Sequence, residues 1–297
     1  MAKASQYDRP RVACEVTADR VIAARVAENR QSLDVFASRP LPAGAITPSL
    51  GGTNLASSDA VRQAIADCLT AIAGRSREVT AVVPDAAVRL TLLDFETLPD
   101  KREEAESVVR FRLKKSLPFD VETAAISYDA RRVNGNLRVL AAVALPSVIE
   151  EYESAFRNAG YNPGVLVPSM LAALGPVDAS QPTLVLKVDA NTSAVAIVNQ
   201  DQILLSRTLD NAGGELHGER LAEDIYPSLV FFQDNYGAKV ERILIGGMAS
   251  ADHVGSVLGE RTGTRVLDLV SPGQVGSPLQ GGIAPSLLAG VVGALVQ

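Results

Sequence analysis

The sequence has no tryptophan, and aromatic residues make up 4% of its 297 positions. With no basic stripe beside aromatics and a net charge of −6, a nucleic-acid binder that tracks phosphates is excluded. Only two histidines occur, His217 and His253, so a histidine-based metal site or a histidine-dependent triad has little to draw on. The two cysteines, Cys14 and Cys68, lie far apart and read as free thiols of a reducing compartment. Long apolar runs are also missing. The longest near the end, residues 286–296, is too short to span a bilayer, and the first ten residues, MAKASQYDRP, lack the apolar centre of a signal peptide. No polybasic amphipathic helix suits a membrane surface. The expectation is a cytoplasmic protein, peripheral to the inner membrane and touching it only through a partner.

What is present is ordinary for a globular protein: 47% hydrophobic and 21% charged residues, in a chain long enough for two domains. Residues 11–16 and 20–26 are β-rich runs around Thr17-Ala18-Asp19 and read as a hairpin, with a third strand at 33–37. Val61, Ile65, Leu69 and Ile72 have helical spacing within 58–73, and 79–83 is a buried strand stopped by Pro84. Residues 88–95 read as a strand. A helix follows over 100–117, with a near capping box at Asp100 and Glu103 and with Ala105, Val108, Val109, Leu113 and Leu117 on one face. Strands at 126–133 and 137–145 flank the turn Asn134-Gly135-Asn136. A helix over 147–160 opens on a Ser147–Glu150 capping box, a short run at 164–167 returns to the first sheet, and 175–182 is a linker.

The second half repeats the order. Strands at 184–188, 194–199 and 202–208 form a meander, and Leu221, Ile225, Leu229, Phe232 and Tyr236 space like one helix face that Pro227 should break or kink. A strand at 242–245, a helix at 251–262, a strand at 265–268 and a last helix at 284–295 complete it. The expected fold is α/β: an actin-like, ribonuclease-H-like two-domain fold with a small α+β subdomain inserted in the first domain. Residues 1–84 and 147–176 form domain 1, residues 85–146 the insertion and residues 177–297 domain 2.

The stretch LVLKVDANT (184–192), a buried strand ending in aspartate, small and hydroxyl residues, is how such a fold builds a phosphate-binding hairpin. The strand running into Gly246-Gly247 suits close approach of backbone to a nucleotide. In their order, LPDKREEAESVVRFRLKKSLP (98–118), FDVETAAISYD (119–129), the segment 139–168 around Ala-Gly-Tyr-Asn-Pro, Ser206-Arg207-Thr208 with Gly213-Gly214, Ser228 to Phe232, Gly246-Gly247 and 283–295 resemble the PilM family. These are actin-like cytoplasmic proteins of type IV pilus assembly, in the superfamily of the cell-division protein FtsA.

The resemblance implies a cofactor-binding set of Glu15, Asp189, Asn191, Thr192, Gly213, Gly214, Gly246 and Gly247 around ATP and magnesium, with no catalytic and no metal residue assigned. It also implies a degenerate site with no cofactor or a weakly bound one. The family's two hairpins read aspartate, apolar, glycine. Here they read Glu15-Val16-Thr17 and Asp189-Ala190-Asn191, and threonine tolerates a left-handed turn poorly. Six residues, 215–220, stand where the family carries a further (2B) subdomain. Each site residue also has a plainer reading: Asp189 as a hairpin cap, Glu15 as a solvated strand end, and the Gly pairs as tight turns. The helix at 100–117 reads as a cover for its sheet or as an interaction surface. The implied function is a non-enzymatic scaffold. It would bind the N-terminal tail of a bitopic inner-membrane pilus protein (PilN-like) in a groove between the first sheet and the insertion, and link it to the assembly motor. Contacts with the pilus motor ATPase and with other copies of the chain are compatible with it. The alternatives are a scaffold like the L component of type II secretion, or an ATP-binding enzyme of the actin and sugar-kinase superfamily.

Overall fold

The computed structural model describes residues 9–72, 74–133, 135–211, 217–249, 251–276 and 283–296. Its elements are β1 (Val12–Val16), β2 (Arg20–Val26), β3 (Leu33–Pro40), α1 (Ser58–Ile72), β4 (Glu78–Val83), β5 (Arg89–Phe95), α2 (Arg102–Leu113), β6 (Ala125–Val133), β7 (Asn136–Ala144), α3 (Pro146–Asn158), β8 (Asn162–Pro168) and α4 (Ser169–Ala173). There follow β9 (Thr183–Val188), β10 (Thr192–Asn199), β11 (Gln202–Asp210), α5 (Gly218–Tyr236), β12 (Arg242–Gly246), α6 (Ala251–Thr262), β13 (Arg265–Asp268), α7 (Pro272–Val275) and α8 (Ala289–Leu295).

One topology occurs twice. The first sheet has the order β3-β2-β1-β4-β8 and the second β11-β10-β9-β12-β13, each an antiparallel meander continued by two parallel strands. A third sheet, β5-β7-β6, is built from the residues between β4 and α3. Side chains alternate across a strand, so each five-stranded sheet has two apolar faces. Val12, Cys14 and Val16 of β1 pack under α1 and α3, whereas Ala13 points the other way, into a core shared with α4, α8 and Val185 of β9. Leu184, Leu186 and Val188 of β9 pack on the far side, under α5 and α6. The order of layers is α1/α3, first sheet, α4/α8, second sheet, α5/α6. By the same alternation, Glu15 of β1 and Lys187 of β9 both point into the central layer.

Several local expectations are corrected. In α2 the residue before the helix is Lys101, and no side chain caps it, so Asp100 does not open a capping box. The helix ends at Leu113 rather than Leu117. Its buried residues recur every fourth position, at Ala105, Val109 and Leu113, and the last two share a core with Val139, Ala141 and Val143 of β7. That spacing turns Val108 and Phe111 to solvent. In α3 the cap position is Leu145 with Pro146 at the first turn, and Ser147 makes no box with Glu150. Glu150 instead pairs with Arg157 at 2.6 Å. Pro227 does not break α5, which runs unbroken through it. The proline lies on the exposed face, where it removes one backbone bond while Ile225, Ser228 and Phe232 hold the helix down.

Both thiols are buried, Cys14 in β1 and Cys68 in α1. Burial pushes Cys68 up to about 12 and raises Cys14 well above the ordinary thiol range. No helix among the described residues is long and apolar enough to cross a membrane.

Candidate functional site

The central layer holds a polar cluster inside an otherwise apolar core. Glu15 is wholly buried, and its Oε1 lies 3.0 Å from Nζ of Lys187, which is itself 3% exposed. Ser169, at the start of α4, donates its hydroxyl to the same Oε1 at 2.6 Å. Oε2 has no hydrogen-bond partner, and the carboxylate is seated against Gly290 of α8, where an added Cβ would overlap it. Asp85, just past β4, is buried and accepts the backbone N–H of Met170 through Oδ1 at 2.8 Å, so it caps α4 from a distant segment. Burial drives the Asp85 carboxyl up to about 7, with Asp189 and Glu15 adding to the shift and the Met170 N–H and Lys187 opposing it. Asp189 is raised as well, chiefly by burial. Burial acts to lower Lys187, but Glu15, Asp189 and Asp85 outweigh it and its ammonium is held above the usual lysine range.

Beside this cluster a cavity of about 190 Å³ opens between the two meanders, lined by Thr17, Asp19, Arg20, Lys187, Asp189 and Gly247, among others. The first turn is closed by its own side chains. Thr17 donates its hydroxyl to Asp19 Oδ1 at 2.9 Å and accepts from the Arg20 N–H at 3.2 Å, and Arg20 lies 2.6 Å from Asp19 Oδ2. The second turn is equally self-contained. Asp189 N–H donates to the Thr192 carbonyl at 2.8 Å, the Asp189 carboxylate accepts from Ala190 N–H at 2.6 Å, and the Asn211 amide donates to the Asp189 carbonyl at 2.8 Å. Neither Thr17 nor Asn191 has positive φ; the non-glycine residues that do, among those described, are Arg30, Gln200 and Asp201. The missing glycines therefore cost these turns no strain.

The residues expected around a nucleotide are only partly gathered. Asp189 and Gly247 line the 190 Å³ cavity with Lys187. Asn191 and Thr192 line a different one, of about 660 Å³, with Asp85, Arg89 and Arg207. Glu15 is not a solvated strand end but the buried partner of Lys187. Gly246 is fixed by packing, since a Cβ there would sit 3.0 Å from both Ala289 and Leu269. Gly247 has φ +89 and lies on the Val188 carbonyl, a place only glycine fills. Gly213 and Gly214 lie outside the described residues. Sequence reasoning missed Lys187, Arg20, Asp85, Ser169 and Gly290. The signal for the first was visible: a lysine inside the apolar strand TLVLKV is a buried charge in need of a partner.

A second concavity, of about 180 Å³, lies where the third sheet meets the first. Val83, Val88, Ile126, Ala142, Val148 and Tyr152 are among its lining residues, and Ser127 is the one lining residue without an apolar or aromatic side chain, so it is apolar. It is bordered by Ile126 and Ser127 of β6 and Leu166 and Pro168 of β8, each an edge strand of its sheet. On its other side the third sheet is tied to the second half: Arg138 of β7 donates to the Tyr236 hydroxyl at 3.0 Å, and Arg131 of β6 to the Asp201 carbonyl at 3.2 Å.

No protein-family model matches the sequence, and no curated protein does. Solved structures do. The PilM-PilN type IV pilus biogenesis complex matches with TM-score 0.79 at 21% identity, over 96% of this chain and 97% of that one. The cytoplasmic domain of EpsL, an inner membrane component of the type II secretion system of Vibrio cholerae, matches with TM-score 0.52 at 12% identity, over 89% and 98%. A Bacteroides thetaiotaomicron protein with actin-like ATPase fold matches with TM-score 0.53 at 9% identity, over 86% and 89%. The chain thus has an α/β actin-like ATPase fold, and the PilM resemblance read in the sequence is borne out in that fold.

Proposed function

We propose that the chain is a non-enzymatic cytoplasmic scaffold of type IV pilus assembly, whose apolar groove between the first and third sheets takes the N-terminal tail of a bitopic inner-membrane protein. The groove carries the reading. It offers apolar walls for alternate side chains of an extended segment, and the free edges of β6 and β8 offer backbone bonds to the same segment. The similarity to a structure of PilM with PilN supports a partner of that kind. The lower similarity to EpsL keeps a secretion scaffold as the second reading.

The fold family implies ATP with magnesium, and the residues present do not fit that pair. Among the described residues lining the cleft, each cation is already matched, Arg20 by Asp19 and Lys187 by Glu15, and Asp189 adds a negative charge where phosphates would need positive ones. The amide of Ala190 is taken by the Asp189 carboxylate and that of Asp189 by Thr192. No group of three or more metal-ligating side chains is found among the described residues. An ATP-dependent enzyme is therefore the least supported reading.

The test is fluorescence anisotropy with a labelled synthetic peptide carrying the N-terminal cytoplasmic tail of a PilN-like bitopic protein. The wild type binds it, and Ala142→Arg, which fills the groove, abolishes binding without changing the melting temperature. No binding by the wild type at roughly 0.1 mM peptide, or equal binding by the variant, overturns the proposal.

A further inference from the structure

The disagreement between this cleft and a nucleotide-metal site has a positive content. Glu15 of the first sheet is wholly buried in the central layer, and Asp189, at the end of β9 in the second, lines the same cavity as Lys187. A carboxylate buried between two halves needs a cation beside it. Here the cation is supplied by the chain. Lys187 reaches from the inner face of β9, with its stem in the central layer and Nζ 3.0 Å from Glu15 Oε1.

We infer that Lys187 is a built-in cation that takes the place of a divalent ion and its nucleotide, tying the two five-stranded sheets across the central layer with no ligand bound.

Four observations converge on this. First, the pair crosses between sheets, from β1 to β9, so it does what a bridging ligand does. Second, both members are shut off from water, where a charge pair is neither screened by salt nor replaced by solvent. Third, the surroundings are shaped for it: Ser169 donates to the same carboxylate oxygen, and Gly290 leaves the space the carboxylate fills. Fourth, an ammonium group brings a single positive charge and three donors, and no coordination shell of oxygens, so a divalent ion at this point would have to displace it. The inference concerns the cleft between the halves and is independent of tail binding in the groove. A chain that fails to bind any tail could still carry the built-in cation, and the reverse.

The test uses the full chain, with Mn²⁺ and Mg·ATP as probes. Calorimetric titration of the wild type with Mn²⁺, and thermal melting with millimolar Mg·ATP, are expected to show no saturable binding and no shift. Lys187→Ala removes the cation beside Glu15. It is expected to bind Mn²⁺ at least roughly tenfold more tightly than the wild type, and the pair Glu15→Gln with Lys187→Ala to lose that gain. Saturable Mg·ATP binding by the wild type, or a folded Lys187→Ala chain with no gain in Mn²⁺ affinity, overturns the inference. Should Lys187→Ala fail to fold, the neutral pair Glu15→Gln with Lys187→Met is followed by hydrogen exchange. Faster exchange of amides at the β1–β2 turn and the end of β9 is expected, and unchanged protection there overturns it.

Discussion

Gly290 of α8 lies directly against the Glu15 carboxylate of β1, with no room between them for a methyl group. A helix and a strand separated by most of the chain are thus matched to one side chain. Gly290→Ala overpacks this contact and is expected to cost about 1–3 kcal/mol in urea unfolding. Adding Glu15→Asp relieves this overlap but lengthens the contact with Lys187, so the two losses are expected to fall short of additivity. A Gly290→Ala chain as stable as the wild type would mean that the seat is looser than drawn.

Glu15 and Lys187 should behave as a unit. Removing either partner leaves the other charge buried alone, and about 3–5 kcal/mol is the expected loss for Lys187→Met or Glu15→Leu singly. Glu15→Leu with Lys187→Met removes both charges and is expected to fall short of the sum by several tenths to about 3 kcal/mol. A double-mutant cycle by equilibrium unfolding decides it, and additive losses would show that the two do not act together.

Asp85 gives the fold a pH dependence of unusual sign for a carboxylate. Its folded value is about 7, above that of the unfolded chain. Between the ordinary carboxylate range and pH 7 the folded protein holds a proton that the unfolded chain has released. The stabilisation from this group is therefore complete at acid pH and is lost as pH rises through about 7. Asp189, also raised, acts in the same direction. Asp85→Asn keeps an oxygen for the Met170 N–H and removes the titration. Its melting temperature relative to the wild type should rise between pH 5 and pH 8, and parallel pH profiles would refute the assignment.

Arg138 and Tyr236 hold the third sheet to the second half through a bond of 3.0 Å between partly exposed side chains. Tyr236→Phe removes only the hydroxyl. The expected cost is about 1 kcal/mol or less, because water competes for both groups. Hydrogen exchange at β6 and β7 should quicken while that of β1 and β9 stays the same, and a uniform response across the chain would argue against a local tie.

The fold was legible because its strands are apolar runs with turn residues between them, and because the 33–37, 79–83 and 164–167 runs could be assigned to one sheet by order alone. Helix ends were less so. The Asp100 and Ser147 boxes matched a pattern that depends on two residues, whereas Lys101 and Leu145 take the cap positions, the latter ahead of Pro146 in the first turn. Pro227 was misjudged because its cost is local and the buried face of α5 outweighs it. The cleft was the least legible part. A missing glycine at position 17 predicts strain only if the turn needs positive φ, and the Thr17 hydroxyl builds a turn that does not. Glu15 and Lys187 lie 172 positions apart, and nothing short of the two stacked sheets shows that their inner faces meet.

The two thiols set the terms for labelling experiments. Cys14 and Cys68 are shut inside the first layer, with thiols held protonated at neutral pH. The native chain should therefore be silent to maleimides and spin labels. A cysteine placed at Ser127 on the groove rim, or at Arg20 in the cleft, would be the one reactive thiol in the molecule, and probes could report on either opening without stripping the wild-type cysteines first.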